Sequence, residues 1–235
     1  MVKNIINGEP KVSYILKNQM QSAKVGQHMQ VDTQVDIRKN DAVIIGNGKS
    51  RLVFDLHEIH ALYVTYGCNA IYRDFIPDYL IAHDFGIADE IVENRVHYQT
   101  KFYTQHGTKM DNRHSRGEPI NFVIQDKYMG DSGTGALRLA CLNGHSNIYM
   151  IGFDYQTQNK YIDNVYAGSR HYQPGPINNG GEFMLRQWES RLRHFCREFK
   201  HINIIRVQGV DYKPVCNECN FINISIQEFK EIINK

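Results

Sequence analysis

Apolar residues along this 235-residue chain collect into short runs of strand length, parted by longer polar stretches. Six runs stand out, at 42–46, 61–66, 79–82, 120–124, 147–153 and 202–207. Several are continuous rather than alternating, which is the mark of strands covered on both faces, as in a parallel sheet between helix layers. Between them the period changes. Residues 133–143 place Ala136, Leu137, Ala140 and Cys141 on one stripe, with Gly144 positioned to end the helix. Residues 183–199 place Leu185, Trp188, Leu192, Phe195 and Phe199 at helical spacing, with Arg186, Arg193 and Arg197 on the solvated side. Strands alternating with helices predict an α/β fold, doubly wound, with a mostly parallel sheet. Residues 1–40 are polar and weakly patterned and read as an N-terminal extension; 41–235 read as a single Rossmann-like domain.

In such a sheet ligands bind beyond the carboxyl ends of the strands. The residues that follow each run therefore matter most: Gly46, Asn47, Gly48, Lys49 and Ser50 after the first, Asn69 after the second, His83 and Asp84 after the third, Asp154 and Tyr155 after 147–153. The stretch "VIIGNGKS" is neither a P-loop, which needs glycine where Val43 stands, nor a dinucleotide fingerprint, which needs glycine where Arg51 stands. What remains is a small-residue turn whose N–H groups can face an anion, or a plain strand-to-helix turn. In "GDSGTGALRLACLNG", Ser132 is the expected N-cap, and Gly133 to Gly135, with Thr134 among them, leave the helix start open to a phosphate or carboxylate, or to close helix–strand packing without a ligand. The expectation is that the turns at Gly48 and Gly133 meet one anionic ligand at a common sheet edge.

Composition narrows the partners. The hydrophobic fraction of 42% and charged fraction of 22% are those of an ordinary globular protein. A formal net charge of +2 gives no strong nucleic-acid signal. No apolar run is long enough to span a bilayer, and the first residues carry no secretory pattern, so the expected localisation is cytoplasmic. Five cysteines without an export signal argue against a disulfide framework. Cys216 and Cys219 form a C-x-x-C that is half of a zinc site; Cys196 and His194 are conceivable additions, and two reduced thiols are the plainer reading. Homo-oligomerisation stays open. The pair His57 and His60 reads as structural, and 105–119 as a long polar loop able to serve as a lid.

Three segments together resemble the family-42 bacterial sialyltransferases: "VIIGNGKS", "CNAIYRDFIPDYLIAHD" and "DSGTGALRLACLNGHSNIYMIGFDY". The same plan occurs in the related DUF115 group, the motility accessory factors and 6-hydroxymethylpterin pyrophosphokinase-like proteins. The likeness spans about residues 41 to 175. It implies a GT-A-type Rossmann-like domain that takes a nucleotide-activated donor, a CMP-sugar, and an acceptor of unknown identity. It further implies that Asn47 and Ser50 line the phosphate and ribose and that Asn69 contacts the nucleotide or donor. Ser132, Gly133 and Thr134 would approach the donor, Asp154 would hold the nucleotide, and Tyr161 would support the departing phosphate. Two features depart from the pattern. Tyr128-Met129-Gly130-Asp131 stands where an arginine is expected, and the base histidine is displaced, leaving His171, beside Tyr172, as the candidate. Lys49 replaces a common proline and suits a di- or triphosphate.

These residues admit three chemistries. In a glycosyltransferase, His171 deprotonates the acceptor while Tyr161, Tyr172, Lys49 and the amides at Ser132–Gly135 stabilise the leaving phosphate. In a diphosphotransferase using ATP and Mg²⁺, Asp84, Asp131 and Asp154 supply carboxylates. In a non-catalytic nucleotide-binding module the fold persists without a base.

Overall fold

A computed structural model of the chain describes residues 40–123, 130–154, 164–173, 181–208 and 216–234, all within the unit Asp36–Lys235. Eight strands form one sheet: β1 (Ala42–Ile45), β2 (Val64–Cys68), β3 (Tyr79–Ala82), β4 (Lys101–Thr104), β5 (Ile120–Phe122), β6 (Asn147–Ile151), β7 (Asn203–Gln208) and β8 (Phe221–Ser225). Six α-helices accompany them: α1 (Leu56–Leu62), α2 (Phe85–Glu93), α3 (Thr108–His114), α4 (Ser132–Leu142), α5 (Gly181–Glu198) and α6 (Ile226–Ile233). The sheet order is β5-β4-β3-β2-β1-β6-β7-β8, and every pairing is parallel. The fold is thus α/β and doubly wound, as the hydrophobic pattern predicts.

The reason lies in the strands. In β1 all four residues are buried, with Ala42 and Ile44 in one apolar cluster and Val43 and Ile45 in the other. The first cluster is closed by Ala136, Leu137 and Ala140 of α4, Leu192 and Phe195 of α5, and Phe199 just after it. The second is closed by Leu56 and Ile59 of α1, Ile87 and Ile91 of α2, Met110 of α3 and Phe229 of α6. A strand that must satisfy two helix layers has no polar face, so its sequence cannot alternate. Each buried aliphatic side chain contributes about 1.5–3 kcal/mol.

From β1 the chain builds outward to β5, then returns across the sheet through α4 to place β6 on the other side of β1. That reversal leaves a crevice beyond the carboxyl ends of β1 and β6, the topological switch point at which ligands bind in open α/β sheets.

The structure corrects several expectations of extent. The run 61–66 straddles a boundary: Ala61 and Leu62 end α1, and β2 begins at Val64. β4 and β8 are strands that the hydrophobic runs do not mark. The expected loop 105–119 contains α3, with Met110 buried beneath it. Asp131, not Ser132, is the N-cap of α4; its carboxylate accepts from the Thr134 amide, and Ser132 is the first helical residue. Gly144, in the left-handed region at φ +81°, follows the helix as expected.

Candidate functional site

At the end of β1 the ladder to β6 continues into the turn. The Gly46 amide donates to Ile151 O (2.9 Å) and the Gly48 amide to Gly152 O (2.9 Å). Gly152 has φ +71°, and a Cβ there would lie 2.7 Å from Gly46 O, so no other residue fits. A Cβ on Gly48 would lie 2.5 Å from Asp154 Oδ2 and 2.6 Å from Gly152 O. The Asp154 carboxylate occupies that space. It accepts from the Ser50 amide at Oδ2 (3.0 Å) and from the Ser50 hydroxyl at Oδ1. The anion held by the Gly-Asn-Gly-Lys-Ser turn is therefore a carboxylate of the same chain, and the Gly48 amide expected to face a ligand is spent on Gly152. Lys49 is exposed and does not line the cleft formed here.

Asn47 is held at both ends. Its Nδ2 donates to Cys68 O (3.2 Å) and its backbone carbonyl accepts from the Val165 amide (2.8 Å), while Oδ1 is buried without a hydrogen-bond partner. Beyond β2, Asn69 adopts φ +52°, a left-handed conformation that asparagine tolerates better than most residues. Its Oδ1 accepts from Ser132 Oγ (2.6 Å) and its Nδ2 donates to Asp84 Oδ2 (3.2 Å). Ser132 Oγ also accepts from the His83 amide (2.9 Å). The ends of β2 and β3 and the start of α4 are thus tied through one hydroxyl and one amide.

The α4 N-terminus is electrically balanced. Asp131 caps it, receiving the Thr134 amide (2.8 Å) and the Thr134 hydroxyl (2.9 Å), and Arg191 of α5 pairs with the same carboxylate at 2.7 Å. A Cβ on Gly130 would collide with that guanidinium, 2.1 Å from Arg191 Nη2. An arginine thus reaches the start of α4 from α5, not from the segment preceding it.

These elements enclose a solvent-open cleft with about 700 Å³ of empty space. Gly46, Asn47 and Gly48 line it from β1, Cys68 and Asn69 from β2, and Asp131, Ser132 and Gly133 from α4. Gly152, Phe153 and Asp154 line it from β6, joined by Asn164 and by Trp188 of α5. The two glycine turns expected to share an edge do so. Phe153 lies between them: a Cβ on Gly46 would be 3.2 Å, and one on Gly133 3.0 Å, from its ring. The described lining offers amides, a hydroxyl, two aromatic faces and the carboxylates of Asp131 and Asp154, and among the described residues no lysine or arginine lines it. Cys68 is no nucleophile here, because burial pushes its thiol far up. His83, behind Gly135 of α4, is pushed down by burial and held neutral, with Nε2 buried and unpartnered.

His171 and Tyr172 do not line the cleft. They end a segment, 164–173, that begins in it: Asn164 makes an antiparallel bridge to Gly48. The segment is pinned to the turn after β2. Arg51, almost wholly buried, donates to Asp74 (2.8 Å) and to the Tyr166 hydroxyl (2.8 Å). Arg73 donates to Ser169 Oγ (2.7 Å), to Arg170 O (3.0 Å) and to Glu90 (2.6 Å). Glu90, buried on α2, also accepts from the Tyr72 hydroxyl and faces Arg170 (3.5 Å) and His171 Nε2 (3.4 Å). Burial acts to raise the Glu90 pKa, but the hydrogen bonds from Tyr72 and Arg73 and the charges of Arg73 and Arg170 outweigh it and bring it down. His171 has φ +68°, and its ring covers Gly86, where a Cβ would lie 2.8 Å from Nδ1. Burial raises the Tyr172 phenol to about 12, so it stays protonated at neutral pH.

Of the remaining expectations, neither Asp84 nor Thr134 lines the cleft: Asp84 is linked to it only through Asn69, and Thr134 is buried, bonded to Asp131. Tyr161 and Tyr155 lie outside the described residues, as do Tyr128, Met129 and the side chain of Leu185. His57 and His60 pack edge-on against Phe75 (5.4 and 5.5 Å) and are structural. Sequence reading missed Phe153, Asn164 and Trp188 as cleft residues. Phe153 was legible as the residue before Asp154, whereas the chain's one tryptophan was hidden in the core stripe of α5.

No protein-family model matches the chain, and no curated protein does. Among solved structures it is similar to sialyltransferase CST-II in complex with a trisaccharide acceptor and CMP, at 13% identity and a TM-score of 0.45, over 71% of this chain and 80% of that one. It is similar to CstII from Campylobacter jejuni in complex with cytidine-5'-monophosphate, at 13% and 0.45, over 71% and 79%. A third is the α-2,3-sialyltransferase from Campylobacter jejuni in apo form, at 12% and 0.43, over 72% and 75%. These neighbours fall on the sialyltransferase side of the resemblance, and none of the three supports its DUF115 side. At such identities and scores the likeness bears on neither substrate nor mechanism.

Proposed function

We propose that the cleft binds a nucleotide-activated sugar of the CMP-linked kind and that the chain transfers the sugar to a hydroxyl acceptor. The observation that supports this reading best is the meeting of the Gly46–Gly48 turn and the Ser132–Gly133 helix start across one cleft at the β1/β6 switch point. In the reaction the acceptor oxygen bonds to the anomeric carbon, and the bond from that carbon to the phosphate oxygen breaks. The nucleotide monophosphate leaves with the electron pair, and a base takes the hydroxyl proton.

The roles divide by charge. Asp154 and the Asn47 and Asn69 amides suit the uncharged hydroxyl and amino groups of a nucleoside. The amides of Ser132 and Gly133, at the positive end of α4, suit the phosphate. Arg191 cancels the Asp131 charge that would otherwise oppose it. Tyr161 is assigned to leaving-group support and His171 to the base, which requires the acceptor to approach over the start of α2; Tyr172, its hydroxyl buried outside the cleft, does not reach the phosphate placed there. Among the described residues the lining carries no cation, which suits a monophosphate better than a triphosphate.

The ATP- and Mg²⁺-dependent alternative asks for carboxylates free to meet a cation. Asp84 accepts from Asn69, Asp131 is paired with Arg191, and Asp154 holds Ser50. Among the described residues no three potential metal ligands cluster. The donor set favours the sugar-transfer reading.

Melting curves with CMP and with ATP plus Mg²⁺, followed by CMP release from CMP-sugars with and without hydroxyl acceptors, test it. CMP at 100 times its Kd should stabilise by about 2.7 kcal/mol. If CMP and CMP-sugars leave the melting temperature unchanged and no CMP is released, the reading is wrong. A shift with ATP that EDTA abolishes would instead select the diphosphotransferase.

A further inference from the structure

The two cysteines of the C-x-x-C are not partners in the fold. Cys216 is buried and Cys219 exposed. The thiol that Cys216 meets is Cys196, on the last turns of α5, with the sulfurs 3.8 Å apart. Both sit in the apolar cluster on the α4–α5 face of the sheet.

Neighbouring hydrogen bonds hold the two segments that carry this pair together. Asn220, almost fully buried, spends its Nδ2 on three carbonyls at the end of α5: Cys196 O (3.0 Å), Phe199 O (3.1 Å) and Ile202 O (3.0 Å). Arg197 donates to Glu218 at 2.8 Å. The turn that follows Cys216 is thereby fastened to the chain at and just after Cys196. A disulfide needs sulfurs about 2.05 Å apart, so closure asks for a movement of under about 2 Å. The shared hydrogen bond also sets the two thiols apart. The hydrogen bond from Cys196 lowers the Cys216 pKa, while the same bond and burial raise that of Cys196. A nucleophile beside a protonated partner is the arrangement in which oxidation of one sulfur is resolved by the other.

We propose that Cys216 is a peroxide-reactive thiol and that Cys196 resolves it, so that a hydroperoxide converts the pair into an α5-to-turn disulfide. The Cys216 thiolate attacks the distal peroxide oxygen; the O–O bond breaks, the alcohol or water leaves after taking a proton, and Cys216 becomes a sulfenic acid. The Cys196 sulfur then attacks the Cys216 sulfur, water departs, and the S–S bond forms. The two sulfurs together give up two electrons to the peroxide. Cys219, although exposed, takes no part.

The probe is hydrogen peroxide on the folded full chain, followed by denaturing alkylation, intact mass and peptide mapping. The expected product has lost two hydrogens, contains a peptide linking Cys196 to Cys216, and returns to the starting mass with dithiothreitol. Cys216→Ser and Cys196→Ala should each abolish the link, and Cys219→Ser should leave its rate unchanged. A Cys216–Cys219 bridge, a loss of reaction in Cys219→Ser, or sulfinic acid accumulating on wild-type Cys216 would each overturn the assignment. The wild-type peptide map decides the matter alone if a buried cysteine variant fails to fold.

Discussion

The Asp154 carboxylate lies where a side chain on Gly48 would have to go, 2.5 Å from the position of its missing Cβ. One residue makes the space and the other fills it, and Ser50 binds the second to the loop of the first. Gly48→Ala should therefore destabilise by about 1–3 kcal/mol through overpacking. Asp154→Asn keeps the shape but weakens two charge-assisted acceptances, at a cost of about 1.5–3 kcal/mol. Urea denaturation of both variants measures this. If Gly48→Ala is as stable as the wild type, the carboxylate is not seated as described.

Asn69 separates backbone from side chain. Glycine at this position keeps the left-handed turn freely and loses only the bridge between Ser132 and Asp84. Alanine loses the bridge and also pays the left-handed penalty of about 1–2 kcal/mol. The expected order of stability is wild type, then Asn69→Gly, then Asn69→Ala. Both variants should bind CMP more weakly by a similar factor, read by calorimetry. Equal stability of the two would show that the φ of +52° carries no strain.

Gly86 is the floor under His171. Gly86→Ala gains about 1 kcal/mol of helix propensity and pushes the imidazole off α2. The variant should melt no lower than the wild type and yet lose transfer activity by tenfold or more if His171 is the base, with His171→Ala behaving alike. Full activity in either variant removes His171 from the mechanism.

Acid should act in two stages. His83, His97 and His145 have native pKa values pushed down by burial, partly offset for His97 by Glu118. The unfolded chain binds protons at these sites near pH 6.5 before the native chain does. Stability therefore falls as pH drops below about 6.5, by at most about 1.4 kcal/mol per pH unit for each histidine. Glu90 has a native pKa below its ordinary 4.5. Its contribution is complete above that value and is lost as pH falls through the native one. Melting temperature against pH checks both: His83→Gln should flatten the upper stage and Glu90→Gln the lower. Glu90→Gln should also cost about 1.5–3 kcal/mol at neutral pH.

How much of this was legible depends on what each residue's signal was for. β1, β3 and β6 are buried on both faces, and their unbroken apolar runs could be read directly. β4, with Lys101-Phe-Tyr-Thr, buries little beyond Phe102 and Thr104, and β8 runs along the sheet edge half-exposed. Neither needs a continuous apolar run, so neither shows one. The cleft was located by its glycines because a close backbone approach can be met in few ways. What those glycines approach could not be read: Gly48 and Asp154 are far apart in sequence, and a turn shaped for an anion does not state whether the anion is a ligand or a neighbour. Likewise Arg191 reaches Asp131 from another helix, which no local pattern announces.

The strand order gives the cleft a history. Asn47 and Asn69 belong to the half of the sheet that precedes the return crossing, whereas Asp154 and Trp188 follow it. The lining of the cleft is drawn from both halves. A ligand held by residues of both halves would therefore bind only where β1 and β6 are paired, so its binding would also read the joining of the two halves.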